Sequence, residues 1–115
     1  MKIPYSAAKL TTWACLLGLA VASWMPGDEM IRTGLDPQLE HMLSYAITAI
    51  AGLIAYPRKA LWSIAVLLSA YAGVLELGQT LVPGRHAALE DFLFSATGAV
   101  IGVIAYAVLR RIGAD

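Results

Sequence analysis

The stretch Glu76-Leu-Gly-Gln79-Thr-Leu-Val-Pro83-Gly84-Arg85-His86-Ala-Ala-Leu-Glu90-Asp91 joins two long apolar runs and holds most of the ionisable groups that lie in or beside apolar sequence. Pro83-Gly84 marks a turn, because proline fixes φ and glycine permits positive φ. Glu76 and Gln79 precede that turn inside one apolar segment, and Asp91 follows it near the start of the next. At ~1.5 Å per helical residue, Glu76 is expected roughly 9 Å below the turn. A carboxylate at that depth in an apolar run is costly without a partner, which marks it as a candidate functional group.

The rest of the chain fits a membrane setting. Its 115 residues make a single domain, 1–115, that is 59% hydrophobic and 14% charged. A soluble domain carries about 25% charged residues. Mean hydropathy is +0.70. The formal net charge is zero, so total charge points to no partner, and no nucleic-acid partner is expected. Cys15 is the single cysteine, cannot form an intrachain disulfide, and reads as a small apolar residue.

Four apolar runs predict helices near 10–26, 38–56, 60–82 and 87–110. The first resembles a signal-peptide core with a small-residue site at Ala20-Val-Ala22. Its length, with Trp13 and Trp24 near its ends, favours a retained helix. Asp36-Pro37 predicts a capped start for the second helix, which is short and borrows a turn from residues 37–40. The third and fourth runs are long enough to span a bilayer. Lys2, Lys9, Arg58, Lys59, Arg110 and Arg111 fall on one side of this arrangement, against Arg32 and Arg85 on the other. The expected fold is therefore an all-α membrane protein with four transmembrane helices and both termini cytoplasmic.

Three of the helices carry a polar face. His41, Ser44, Tyr45, Thr48 and Gly52 recur at three- and four-residue spacing, as do Ser69, Gly73, Glu76 and Thr80, and again Asp91, Ser95, Gly98 and Gly102. Gly98-x-x-x-Gly102 suits close helix packing, within the bundle or between copies. Each face carries its most polar residue toward the outer end. His41, Tyr45, Glu76, Gln79, Arg85, Asp91 and Ser95 can thus meet in one outward-facing pocket. Plainer readings stand beside this one: His41 as a helix-end hydrogen bonder, Asp91 as a helix cap, Arg85 as an interfacial anchor. Tyr5, Tyr56, Trp62, Tyr71 and Tyr106 read as belt or packing residues.

The run Glu76-x-x-Gln79-x-x-x-Pro83-Gly84-Arg85-x-x-x-x-x-Asp91, followed by Gly98 and Gly102 and preceded by His41-x-x-x-Tyr45, resembles the VanZ-like membrane proteins over roughly Asp36 to Arg110. Ser95 stands where that family usually has asparagine, and the family's Asp-Lys before the histidine is shifted or missing. The resemblance implies a small multi-helix membrane fold with a cell-envelope role in the bacterial cytoplasmic membrane. The family is linked to low-level teicoplanin resistance.

Two functions compete. In the first, the pocket binds an amphiphile, whether a lipid headgroup, a lipid-linked cell-wall precursor or a lipoglycopeptide, with Arg85 matching an anionic group in bidentate fashion. In the second, the chain is a hydrolase or transferase acting on a lipid-linked phosphate or ester. Glu76 or Asp91 would then be the general base, His41 its partner, and Ser95 a nucleophile if a base reaches it. No nucleophile-elbow, P-loop or zinc-protease motif supports the enzyme. His41, Glu76 and Asp91 lack recognisable metal-ligand spacing, and no cofactor is expected. The first function is favoured, with membrane lipids as partners and a homo-oligomer left open.

Overall fold

A computed structural model describes residues 3–25, 34, 36–57, 60–84 and 88–113. Four helices follow one another: α1 (Tyr5–Trp24), α2 (Pro37–Ala55), α3 (Leu61–Gly78) and α4 (Leu89–Gly113), with a short 3-10 turn at Gln79–Leu81 extending α3. Among the described residues all regular structure is helical. Three helical segments are long and apolar enough to cross a membrane: Tyr5–Trp24, Leu61–Leu81 and Leu89–Gly113. α2 is the exception, being the most enclosed of the four; it packs against α4 most extensively and against α1 next.

The helix ends follow local chemistry. Asp36 Oδ1 accepts from the Gln38 backbone N–H at 3.0 Å, and Pro37 occupies the first turn, as the sequence predicts. α1 begins about a turn earlier than its apolar run suggests, after Pro4, and ends when Met25 turns extended ahead of a proline. Val82 is likewise extended before Pro83, and Gly84 takes a φ of 76° in the turn. α4 continues through Arg110 and Arg111 to Gly113. Glu90 and Asp91 in its first turn and those two arginines in its last complement the helix dipole.

Small side chains contribute much of the packed interior, beside Tyr45, Leu53, Ile64, Leu68 and Val103, while many large ones face outward. The core includes Ala49, Ala65, Ala72 and Ala99, while Leu10, Leu17, Leu67, Leu77, Leu93 and Ile104 are exposed. Burying alanine while exposing leucine would be unfavourable in water but suits hydrocarbon, where large side chains meet lipid and small ones let backbones approach. A Cβ added to Gly98 would strike the Met42 carbonyl and lie 2.7 Å from the Met42 Cα. One added to Gly102 would strike the Ala46 carbonyl and lie 2.8 Å from the Ala49 Cβ. The glycine pair therefore serves packing inside the bundle. Its successive contacts, Gly98 on Met42 and Gly102 on Ala46, run α2 and α4 parallel.

These two helices also share a sequence pattern. Leu-Glu-x-x-Leu-x-x-Ala-x-x-Ala-x-x-Gly-x-Ile-Ala-Tyr reads out at 39–56 and again at 89–106. Burial alternates identically along 41–50 and 91–100. The two copies are not level. Gly98 rests on Met42 rather than on its counterpart Thr48, so the N-terminal half of α4 stands further out along the bundle axis.

Candidate functional site

The polar end of the bundle is drawn from α2, α3 and α4. Helical side chains lean toward their own N-terminus, so those of α2 reach toward the level of the first turns of α4. His41 Nε2 comes to 4.0 Å from Asp91 Oδ1, with each side chain about a quarter exposed. One turn deeper, the Tyr45 hydroxyl and the Ser95 side chain come together between α2 and α4. Both are buried, 3% exposed. His41 and Asp91 are counterparts in the repeated pattern, as are Tyr45 and Ser95. The same two positions of each copy meet each other, carrying different chemistry.

α3 supplies Glu76 from the third side. Its Oε2 accepts from the backbone N–H of Ala88 at 2.6 Å, just ahead of α4. Ala88 in turn accepts through its carbonyl from the Asp91 and Phe92 backbone N–H groups, which makes it the start of the helix. A carboxylate at a helix N-terminus satisfies an orphan donor and meets the positive end of the dipole. Glu76 was expected to bond Arg85, His41 or Gln79; Arg85 lies outside the described residues, and the bond to the Ala88 amide adds a partner that the expectation did not include. It also lies close enough to Tyr45 to interact electrostatically. Glu76, Tyr45, Ser95, His41 and Asp91 therefore belong to one cluster drawn from three helices.

Gln79 stands apart. It is 2% exposed and its Nε2 donates to the Ser23 carbonyl on α1 at 3.0 Å. Beside it the Trp24 indole N–H donates to the Leu75 carbonyl at 3.1 Å, and the ring lies where a side chain on Gly78 would be. The amide thus faces α1. Arg85 lies outside the described residues, as do Lys2, Arg32, Arg58 and Lys59, on which much of the orientation argument rests.

Chemically, the cluster has an ionisable rim and a satisfied hydroxyl pair beneath it. No buried side-chain polar atom lacks a hydrogen-bond partner among the described residues. No three His, Cys, Asp or Glu side chains are grouped as metal ligands among the described residues.

Several fastening residues carry no clear sequence signal. Trp13 donates its indole N–H to the Tyr56 hydroxyl at 2.9 Å, and Tyr71 donates its hydroxyl to the Leu16 carbonyl. Aromatic residues near run ends suit an interfacial belt equally well, so only the helix arrangement distinguishes a belt from a clasp. Compared with family models, with curated proteins and with solved structures, the chain finds no match.

Proposed function

We propose that the chain is a multi-pass protein of the bacterial cytoplasmic membrane, with four spans and both termini cytoplasmic, whose outward-facing polar pocket binds the head of an amphiphile. The observation that carries this reading is the convergence of His41, Tyr45, Glu76, Asp91 and Ser95 from three helices at one end of an otherwise apolar bundle. The occupant belongs to the class of lipid headgroups, lipid-linked cell-wall precursors and lipoglycopeptides. The resemblance to VanZ-like proteins directs the test to teicoplanin.

Arg85 follows Pro83-Gly84 in the sequence and carries the planar fork that an anionic head needs. In cells making each variant, Arg85→Ala loses most of any protection against teicoplanin, and Arg85→Lys loses part of it while the amount of protein stays constant. Full protection with Arg85→Ala removes the residue from the site. Full protection with His41→Ala, Glu76→Gln and Arg85→Ala alike would sink the pocket.

The approach of His41 to Asp91 supports a second reading, a hydrolase or transferase acting on a lipid-linked phosphate or ester. Product release from such a lipid by the purified protein in vesicles, lost with His41→Ala, would establish it in place of simple binding.

A further inference from the structure

One void in the bundle is lined by none of the residues of the polar cluster. α1 packs on α2 and only lightly on α3, which leaves a groove of about 630 Å³ between the three. Its walls include Leu16, Leu17 and Ala20 from α1, Gly52 from α2, and Ile64 and Leu67 from α3. Thr12, Thr48 and Tyr71 also line it, but each hydroxyl is engaged by a backbone carbonyl: Thr12 by Ala8 at 2.8 Å, Thr48 by Ser44 at 2.7 Å, and Tyr71 by Leu16. These side chains therefore turn hydrocarbon toward the groove. Gly52 keeps the floor open, since a Cβ there would meet Ile64 and Thr12 only at ordinary contact, 3.8 Å.

One end is different. Trp13 and Tyr56 close it with their hydrogen bond, and Lys9 lies over the Tyr56 ring, its Nζ 5.4 Å from the centroid. Lys9 is exposed, and among the described residues no carboxylate pairs with it. Tryptophan, tyrosine and lysine together are the set that settles at a lipid headgroup level. From Trp13 to Ala20 the groove runs roughly 10 Å along α1 at ~1.5 Å per residue, which is room for part of one hydrocarbon chain.

We propose that this groove holds one acyl chain of an anionic membrane phospholipid, with its phosphate drawn to Lys9. An apolar void open to hydrocarbon fills with hydrocarbon, because neither water nor a polar ligand finds partners there. A cation at one end and hydrocarbon along the rest match an amphiphile with a negative head. A second protein copy would need complementary side chains along the whole length. This site lies apart from the polar cluster and does not depend on what that cluster binds.

The test is native mass spectrometry of the full chain released from vesicles of phosphatidylglycerol, phosphatidylcholine, or an equal mixture. The wild type retains a single lipid and prefers phosphatidylglycerol from the mixture. Lys9→Gln still retains a lipid, with the headgroup preference reduced about fivefold, the worth of one lysine near an anionic surface. Ala20→Phe and Gly52→Leu, which fill the groove from different helices, each lower the retained fraction about tenfold while thermal unfolding shows both folded. Release of the wild type without lipid overturns the proposal. So does equal retention by both filled variants, which would mean lipid held around the outside, and so does an unchanged headgroup preference in Lys9→Gln. If either filled variant fails to fold, the other and Lys9→Gln still decide.

Discussion

Gly98 determines how near α4 can come to α2. The Cβ of an alanine there would press on the Met42 backbone, which cannot rotate away as a side chain could. Gly98→Ala should therefore cost about 1–3 kcal/mol, the usual penalty for overpacking. Gly18→Ala is the control, because nothing lies within 4 Å of a Cβ there and alanine is the better helix former. Unfolding of both variants in mixed micelles checks this, and equal stabilities would remove Gly98 from the interface. Glu76 offers a second comparison. Glu76→Gln keeps an acceptor for the Ala88 N–H and loses only the charge at the start of α4, about 0.3–1 kcal/mol. Glu76→Leu leaves that donor without its carboxylate and should cost about 1–3 kcal/mol. A leucine variant as stable as the glutamine variant would show that the bond contributes nothing. At this scale the sequence was legible where spacing within one helix sufficed. The four-residue steps His41 to Tyr45 and Asp91 to Ser95 placed two pairs on facing stripes. The bond from the Ala88 amide to Glu76 was not legible, because a backbone amide beyond a turn leaves no mark in residue type.

α1 illustrates how an element can be recognised without its fastening being foreseen. Its apolar run and flanking tryptophans identify a membrane-length helix, yet few of its residues are buried. It is held by hydrogen bonds along its middle and at its C-terminal end: Trp13 to Tyr56, Leu16 to Tyr71, and Ser23 and Trp24 to Gln79 and Leu75. Where hydrocarbon surrounds the bundle, loose packing supplies little attraction between helices and such bonds matter more. Gln79→Leu and Trp24→Phe each remove one bond, so each should lower stability by about 0.5–1.5 kcal/mol. Their effects should be non-additive, since both grip the same turn of α1. Hydrogen exchange should rise at the C-terminal end of α1 in either variant and stay unchanged in α4. Exchange rising equally in all helices would mean global destabilisation instead. Gln79 was expected in the pocket because it shares the polar stretch with Glu76. It stands in the 3-10 turn that extends α3, and its amide bonds the Ser23 carbonyl on α1.

At the scale of the whole molecule, the repeated pattern at 39–56 and 89–106 bears on whether α2 crosses the membrane. α2 lacks the hydropathy of the other three, as Gln38, Glu40 and His41 occupy its start. Its neighbours supply what composition does not. It is enclosed by α1 and α4, so less of it meets lipid, and its 19 residues extend roughly 28 Å at ~1.5 Å each, close to a hydrocarbon core of about 30 Å. It lies parallel to α4, which is long and apolar enough to span. Two parallel helices side by side in a bilayer enter from the same face, so α2 and α4 should emerge on the same side. Lys59 follows the end of α2 and Arg110-Arg111 stand in the last turn of α4, so the positive-inside rule predicts the cytoplasm for that side. A reporter active only in the cytoplasm should therefore work when fused after Lys59 and also after Asp115, while a periplasmic reporter is silent at both. Opposite sides for the two fusions would mean that α2 and α4 do not both span in the same direction, and the parallel bundle would have to be abandoned. Agreement on the periplasmic side would keep the bundle and invert it, placing the polar cluster toward the cytoplasm and excluding any extracellular amphiphile as its ligand.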